Sequence, residues 1–177
     1  MKRKYKFIDG KFYDENGILV DDIDKHYQSK KDISVVIEDG TKSWYLNDVL
    51  HREDGPAIED SNGTKSWYIH GERHREDGPA IEYESGTKAW YKNDVLHRED
   101  GPAIEYADGS KRWYLNGKTH RVGGPACEGD DGNKIWFIHN QIHREDGPAY
   151  EWGDGNKEWY IYGKKINRII YWLKYRK

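Results

Sequence analysis

The apolar positions of this chain occur in short runs that are separated by turn-forming residues. Runs such as PAIEY at residues 79–83 and KAWY at residues 88–91 have strand-forming composition. Apart from the C-terminal tail, no stretch shows the 3.6-residue apolar spacing of a helix. The pattern therefore predicts an all-β chain of antiparallel hairpins. The turn dipeptides between the runs are Asp39-Gly40, Asn62-Gly63, Ser85-Gly86, Asp108-Gly109, Asp131-Gly132 and Asp154-Gly155.

The runs repeat with a fixed period of 23 residues. The sequence HREDGPAIE begins at His51, His74 and His97, and variants of it begin at His120 and His143. Such a period is typical of repeat proteins, in which each unit packs on its neighbours. We expect one column of this period to be a structural ladder: Trp44, Trp67, Trp90, Trp113, Trp136 and Trp159.

The period divides the chain into three parts. Residues 1–27 are expected to form a degenerate N-terminal capping hairpin, and residues 166–177 a basic cap. The cap has apolar residues at helical spacing, namely Ile166, Ile169, Ile170 and Leu173. Between the caps lie six 23-residue β-hairpin repeats, 28–50, 51–73, 74–96, 97–119, 120–142 and 143–165. We expect an elongated, single-layer or solenoid-like hairpin array with a short C-terminal capping helix.

Two loop lengths fit the turn inside each repeat. A two-residue loop would place Ile58 opposite Trp67. A three-residue loop with a glycine bulge would instead place Ala57 opposite Trp67 and Glu59 opposite Lys65. We favour the second register, because a small alanine beside a large indole packs without overfilling. The first register stays open.

The period, the aromatic strands and segments such as WYLNGKTH (113–120) and EYADGSKRWY (105–114) carry a family resemblance. Over residues 28–165 the chain resembles the membrane occupation and recognition nexus (MORN) repeat, including bacterial repeat antitoxins. The HREDGPAIEY and WYLNG segments are also similar to repeats of large phages and giant viruses. The resemblance implies a β-hairpin array that serves as a binding or assembly surface, in one variant at a membrane. It implies no catalytic residue.

Composition narrows the class of protein. Charged residues make up 34% of the chain, but 8 Trp, 14 Tyr and 3 Phe, which disordered chains lack, supply material for a core. No apolar run approaches the roughly 20 residues of a membrane-spanning helix. The basic start also lacks a signal-peptide core, so we expect a cytoplasmic protein, in the host cytoplasm if the source is viral.

The chain has a single cysteine, and it lies in the repeat that differs most from the others. The single cysteine, Cys127, excludes an intramolecular disulfide and a Cys-built zinc site. Repeat 120–142 departs most from its siblings, at Val122, Gly123, Cys127 and Gly129. We interpret these departures as drift, with Cys127 as a small buried hydrophobe.

The His-Arg-Glu-Asp tetrads place an acid, a base and a cation together, but an active site needs one asymmetric constellation. Because the tetrads recur, we interpret them as structural ladders and expect no enzymatic activity. We also expect no cofactor and no metal site, since no third ligand accompanies His70 and His74. The residues that we expect to contact a partner are Arg52, Arg75, Arg98, Arg121, Arg144, Tyr68, Tyr91 and Tyr114.

Charge is distributed unevenly along the chain. Residues 1–7 carry four positive charges and residues 164–177 carry six, so the other 19 basic and 32 acidic residues give the body a net charge of −13. An acidic body disfavours direct nucleic-acid binding. The basic C-terminus could contact an anionic membrane, and open sheet edges could pair into a homodimer.

These observations favour a non-enzymatic repeat scaffold that binds a protein partner. A viral, phage or bacterial effector that inhibits a host defence protein is the form we expect. Two alternatives stay open, namely sequestration of a nucleotide or other small anionic ligand, and inhibition by an acidic mimic of DNA.

Overall fold

The computed structural model describes residues 3–8, 11–20 and 33–174. These residues form antiparallel β-hairpins followed by one short helix, which confirms the predicted all-β hairpin array. The chain folds into two compact units, residues 1–84 with 92–94, and residues 85–91 with 95–177. The predicted N-terminal cap contributes three strands to the first unit, while its residues 1–2, 9–10 and 21–27 lie outside the described residues.

The strands before residue 85 form one continuous sheet and one separate hairpin. Their bounds are β1 (Arg3–Ile8), β2 (Lys11–Tyr13), β3 (Leu19–Val20), β4 (Ile33–Glu38), β5 (Thr41–Leu46), β6 (Val49–Leu50), β7 (Ile58–Glu59), β8 (Lys65–Ser66), β9 (Tyr68–Ile69), β10 (Glu72–Arg73) and β11 (Ile81–Glu82). Antiparallel pairing runs in the order β3, β2, β1, β4, β5, β7, β8, β11. The hairpin is β9 with β10. The core of this sheet is Tyr5, Phe12, Ile33, Val35 and Trp44.

The later strands repeat the same arrangement. Their bounds are β12 (Lys88–Ala89), β13 (Tyr91–Lys92), β14 (Val95–Leu96), β15 (Ile104–Glu105), β16 (Lys111–Arg112), β17 (Tyr114–Leu115), β18 (Lys118–Thr119), β19 (Cys127–Glu128), β20 (Lys134–Ile135), β21 (Phe137–Ile138), β22 (Gln141–Ile142), β23 (Tyr150–Glu151), β24 (Lys157–Ile161) and β25 (Lys164–Ile166). Pairing runs in the order β12, β15, β16, β19, β20, β23, β24, β25. The further hairpins include β17 with β18 and β21 with β22.

Both of the predicted hairpin registers occur. In the hairpin of β7 and β8, Glu59 lies opposite Lys65 and a three-residue loop ends in Gly63, whose φ is +95°. The hairpin of β4 and β5 has the two-residue loop Asp39-Gly40, and Val35 lies opposite Trp44. The favoured register is therefore confirmed for residues 51–73, and the alternative describes residues 33–46.

A second turn in each repeat is a two-residue turn in which both residues have positive φ. Asn116 and Gly117, for example, have φ of 49° and 72°. This is the backbone of a type I′ turn, which matches the twist of a hairpin and favours Asn and Gly. The other pairs with this geometry are Asn47-Asp48, His70-Gly71, Asn93-Asp94, His139-Asn140 and Tyr162-Gly163.

An alanine opposite each tryptophan marks the tightest part of the structure. The Trp67 amide donates to the Ala80 carbonyl at 2.8 Å, and four equivalent bonds join Trp44, Trp90, Trp113 and Trp136 to the alanine of the next repeat. The alanines Ala57, Ala80, Ala103, Ala126 and Ala149 are all 0% exposed. A larger side chain at these positions would have no room, which explains the repeated Pro-Ala.

The C-terminal helix α1 (Arg168–Lys174) packs on the last hairpin, but by a different face from the predicted one. Tyr171 is buried, its ring centroid lies 6.2 Å from that of Trp159, and its hydroxyl donates to the Glu145 carbonyl. Ile169, Ile170 and Leu173, which sequence spacing assigned to the packed face, are exposed. The prediction of the face was wrong, because a single tyrosine supplies both the ring and the hydrogen bond. Within the described residues, no helix is long and apolar enough to cross a membrane.

Candidate functional site

The arginine column lies on the tryptophan column. Each arginine of the HRED motif places its guanidinium over the indole of the preceding repeat, with Cζ about 4 Å from the ring centroid, as for Arg75 over Trp67 at 4.1 Å. Successive indoles of the column are two strands apart, or about 9.6 Å, so a guanidinium and not another ring covers each face. The pairs are Arg52 with Trp44, Arg75 with Trp67, Arg98 with Trp90, Arg121 with Trp113 and Arg144 with Trp136.

Hydrogen bonds fix each guanidinium in that position. In repeat 97–119, Arg98 donates through Nη1 to the Pro102 carbonyl at 3.2 Å and to Glu105 at 3.0 Å. Its Nε donates to Asp100 at 2.9 Å. This last bond holds the pKa of the Asp100 carboxyl below its ordinary value. The arginine and the aspartate of the tetrad and the strand glutamate Glu105 are therefore bound to one another inside the repeat, as a structural ladder requires.

The glycine of the HREDGPA motif leaves space for this arginine. A Cβ built on Gly101 would lie 2.8 Å from the Cζ atom of Arg98, closer than real side chains approach. The same clash arises at Gly55, Gly78, Gly124 and Gly147, where the distance to the arginine is 2.8–3.0 Å. None of these glycines has a positive φ, so backbone conformation does not explain why glycine recurs here. The space that the guanidinium occupies does explain it, because a Cβ would collide with that group.

The histidine column is also structural. The Nδ1 atom of His97 accepts a hydrogen bond from the Asn116 amide at 3.2 Å, which ties the start of the repeat to the type I′ turn near its end. His51, His120 and His143 accept the equivalent amide 19 residues later. His120 stacks on His139 at 4.3 Å between centroids, and burial, followed by the charge of His139, lowers the pKa of His120.

The three tyrosines expected to contact a partner are half-buried. Tyr68 lies opposite Arg73 in its hairpin, and burial raises the pKa of its hydroxyl. Tyr114 lies opposite Thr119, and its carbonyl accepts the Arg98 amide at 3.1 Å. Tyr91 occupies the same position in β13. The structure thus places these residues and the five arginines within the repeat framework, and their role toward a partner stays a prediction.

Sequence reasoning missed a second set of aromatic residues on the opposite face of the strands. They follow the strand glutamate directly, and alternation therefore turns them away from the face that carries arginine and tryptophan. We call Tyr83, Tyr106 and Trp152 the open-face aromatics. Tyr83 is 42% exposed, and Trp152 stacks on Tyr150 at 3.8 Å. The sequence signal that could have found them is their position directly after Glu82, Glu105 and Glu151, because neighbouring residues of a strand lie on opposite faces.

Gly129 stands at the position of the open-face aromatics in repeat 120–142. A cavity of about 360 Å³ occurs there, lined in part by Tyr106, Arg112, Cys127 and Tyr150. Burial raises the pKa of the Cys127 thiol. Among the residues that the structure describes, no group of His, Cys, Asp and Glu side chains could hold a metal ion.

No protein-family model and no curated protein matches the chain.

Proposed function

We propose that the chain is a non-enzymatic repeat scaffold that binds a protein partner through its open-face aromatics. The observation that carries the proposal is a difference between the two faces of the strands: one face binds its own side chains together, and the other leaves large side chains partly exposed. On one face, the arginine of the tetrad is engaged with the tetrad aspartate, with the strand glutamate and with tryptophan. On the other face, tyrosine, tryptophan and isoleucine recur with partial exposure, and Tyr and Trp are the residues that contribute most to binding energy in interfaces.

The experiment is affinity capture from the lysate of the source cells, followed by a binding measurement with the purified partner. Tyr83→Ala and Tyr106→Ala remove one open-face aromatic each. Val122→Ala is the matched control, because Val122 is 85% exposed and belongs to the HRED segment. We expect each tyrosine variant to weaken binding at least about tenfold and the control to bind as the wild type does. Equal binding by all four proteins would contradict the proposal.

The sequence-based expectation that the partner is a host defence protein, and that a virus, phage or bacterium makes this chain, remains a prediction. Capture from uninfected host lysate tests it directly. A partner found only among proteins encoded beside this chain would argue against a host target.

A second contact, with an anionic membrane surface, is favoured by helix α1. Ile169, Ile170, Trp172 and Leu173 are 47–82% exposed although all are large and apolar. Residues 164–177 carry six basic side chains and no acid. Apolar and basic side chains together are the chemistry of helices that lie in the interface of anionic bilayers.

Co-sedimentation with lipid vesicles tests this contact. We expect binding to phosphatidylglycerol vesicles, loss of binding in Leu173→Asp, and retention in Val122→Asp, which places the same charge at another exposed apolar site. Binding to phosphatidylglycerol that is unchanged in Leu173→Asp would exclude the helix as the contact.

A further inference from the structure

The cavity in the second unit lies where the repeat pattern is broken. Its volume is about 360 Å³, at the lower end of the range of about 300–1,000 Å³ found for small-molecule sites. Its lining includes residues of β16, β19, β20 and β23 together with Tyr106, just before the turn that precedes β16. These strands pair in one continuous antiparallel order within the second unit. The cavity is therefore part of a regular framework and not a gap beside a loose loop.

The cavity lies where neighbouring repeats carry an aromatic side chain that this repeat lacks. Gly129 occupies the column in which three other repeats carry Tyr83, Tyr106 and Trp152 and repeat 51–73 carries Asp60. Cys127 is also smaller than its counterparts Ile104 and Tyr150. The neighbouring repeats keep their rings, so that Tyr106 and Tyr150 both line the space. A planar aromatic molecule would restore the missing contacts.

Arginine 112 gives the rim of the cavity hydrogen-bond donors. The corresponding residues in other repeats are Ser66, Ala89 and Ile135, so the guanidinium is specific to this place. Its Cζ lies 5.7 Å from the ring centroid of Tyr106, and the side chain is exposed. The arginine can therefore present N–H groups to the edge of a ring that occupies the place of the missing side chain.

Carboxylates form the other part of the rim. Glu128 is bound by Arg121 at 2.7 Å, and the Asp108 and Asp131 carboxylates accept amides of their own turns at 2.8 Å and 2.9 Å. Asp130 is exposed. These four acids outnumber Lys111 and Arg112, the two bases of the lining, so the cavity disfavours a multiply charged anion. It suits a neutral ring whose edge has both donors and acceptors.

From this arrangement we infer that the cavity binds the purine base of a neutral nucleoside. Guanine has acceptors at O6 and N7, which an arginine recognises in a two-pronged contact, and it has N–H donors for a carboxylate. Its ring would stack in the place of the missing side chain, as bases stack on aromatic side chains in other proteins. This inference goes beyond the proposed scaffold function, and it changes the sequence-based expectation of a nucleotide into one of a nucleoside.

The test uses guanosine as the probe, with two independent readouts on the full chain. Calorimetry measures the Kd, and the rate of alkylation of Cys127 by iodoacetamide reports access to the cavity, because Cys127 is the only cysteine. We expect guanosine to bind and to slow alkylation, and ribose to do neither. GMP should bind more weakly than guanosine, since its phosphate adds charge beside the acids.

Two variants locate the site by restoring residues that sibling repeats already carry. Gly129→Tyr refills the cavity and requires only that the Asp131 carboxylate moves aside, and we expect it to abolish guanosine binding. Arg112→Ser copies Ser66 and should raise the Kd about tenfold, or about 1.4 kcal/mol. Val122→Tyr adds a ring in the same repeat at an exposed site outside the cavity and should leave the Kd unchanged.

Each opposite outcome overturns the inference. An unchanged Kd in Gly129→Tyr, with a urea midpoint that shows the fold intact, excludes the cavity as the site. GMP that binds more tightly than guanosine excludes a neutral ligand. A guanine-containing single-stranded oligonucleotide that binds when guanosine does not excludes a free nucleoside. Failure of guanosine leaves the partner-capture result unaffected, because that result depends on Tyr83 and Tyr106 variants and a protein ligand.

Discussion

At the scale of the residue, the motif HREDGPAIE describes one arginine and the groups that hold it in place. The guanidinium needs an indole beneath it, a glutamate and an aspartate beside it, and a glycine without Cβ next to it. Repeat 120–142 shows the effect of losing one partner, because Gly123 replaces the aspartate. The Arg121 side chain is 32% exposed, compared with 22% for Arg98. The tetrad residues that suggest catalysis in the sequence therefore hold the repeat together instead.

Removing this arginine should lower the free energy of unfolding substantially. Arg98→Ala deletes a cation–π contact and hydrogen bonds to two carboxylates, so we expect a loss of about 2 kcal/mol in urea denaturation. Gly101→Ala should produce a loss of the same sign by displacing the guanidinium. Lys92→Ala, at an exposed strand position, is the control. Wild-type stability in Gly101→Ala would show that the glycine serves another purpose.

Histidine 120 should make stability depend on pH. Its pKa in the folded chain is lowered, so the unfolded chain, with a pKa of about 6.5, takes up the proton first as pH falls. Stability is then complete above about pH 6.5 and declines as pH falls from there through the lower, folded pKa. His120→Asn keeps an acceptor for the His139 amide but does not titrate. We expect the variant to lose less stability than the wild type between pH 8 and pH 5 in urea titrations, and equal slopes would refute the assignment.

At the scale of the element, the sequence predicted the hairpins and left their register open. The turn dipeptides located the turn between the two main strands of each repeat, since they mark where the chain must take positive φ, but they did not include the second turns such as His70-Gly71. They could not show that Asp39-Gly40 forms a two-residue loop and Asn62-Gly63 the end of a three-residue loop. That choice depends on which residue lies opposite the tryptophan, Val35 in one case and alanine in the other, and hence on packing between strands.

The sequence did not predict the cavity at Gly129, because an absent side chain leaves no sequence pattern of its own.

The C-terminal helix gives the prediction at this scale. Tyr171 is 4% exposed and carries both the ring contact with Trp159 and the bond to Glu145, so Tyr171→Ala should cost about 3 kcal/mol and loosen β24 and β25. Leu173→Ser changes a side chain that is 82% exposed and should cost little. Hydrogen exchange of residues 157–166 measures both effects. A larger effect from Leu173→Ser would restore the face that sequence spacing predicted.

At the scale of the whole molecule, the period matters more than any one repeat. Contacts between neighbouring repeats join columns that recur after 23 residues, such as the tryptophan amide to the alanine carbonyl and the arginine to the tryptophan ring. The stability of such a chain is approximately a sum over repeats and their shared interfaces. Removal of one complete period should therefore preserve the architecture, whereas removal of a fraction of a period should not.

Deletion of residues 51–73 tests this expectation within the first unit. The new junction joins Leu50 to His74, and it brings Arg75 to Trp44 and the Ala80 carbonyl to the Trp44 amide, contacts that Arg52 and Ala57 supply in the full chain. We expect the shortened chain to fold with an unchanged circular dichroism spectrum per residue and a lower urea midpoint. Deletion of residues 51–70, three residues less than a period, shifts every column and should abolish cooperative unfolding. If the two deletions behave alike, the columns do not hold the repeats together, and the stability of the array must come from contacts within each hairpin.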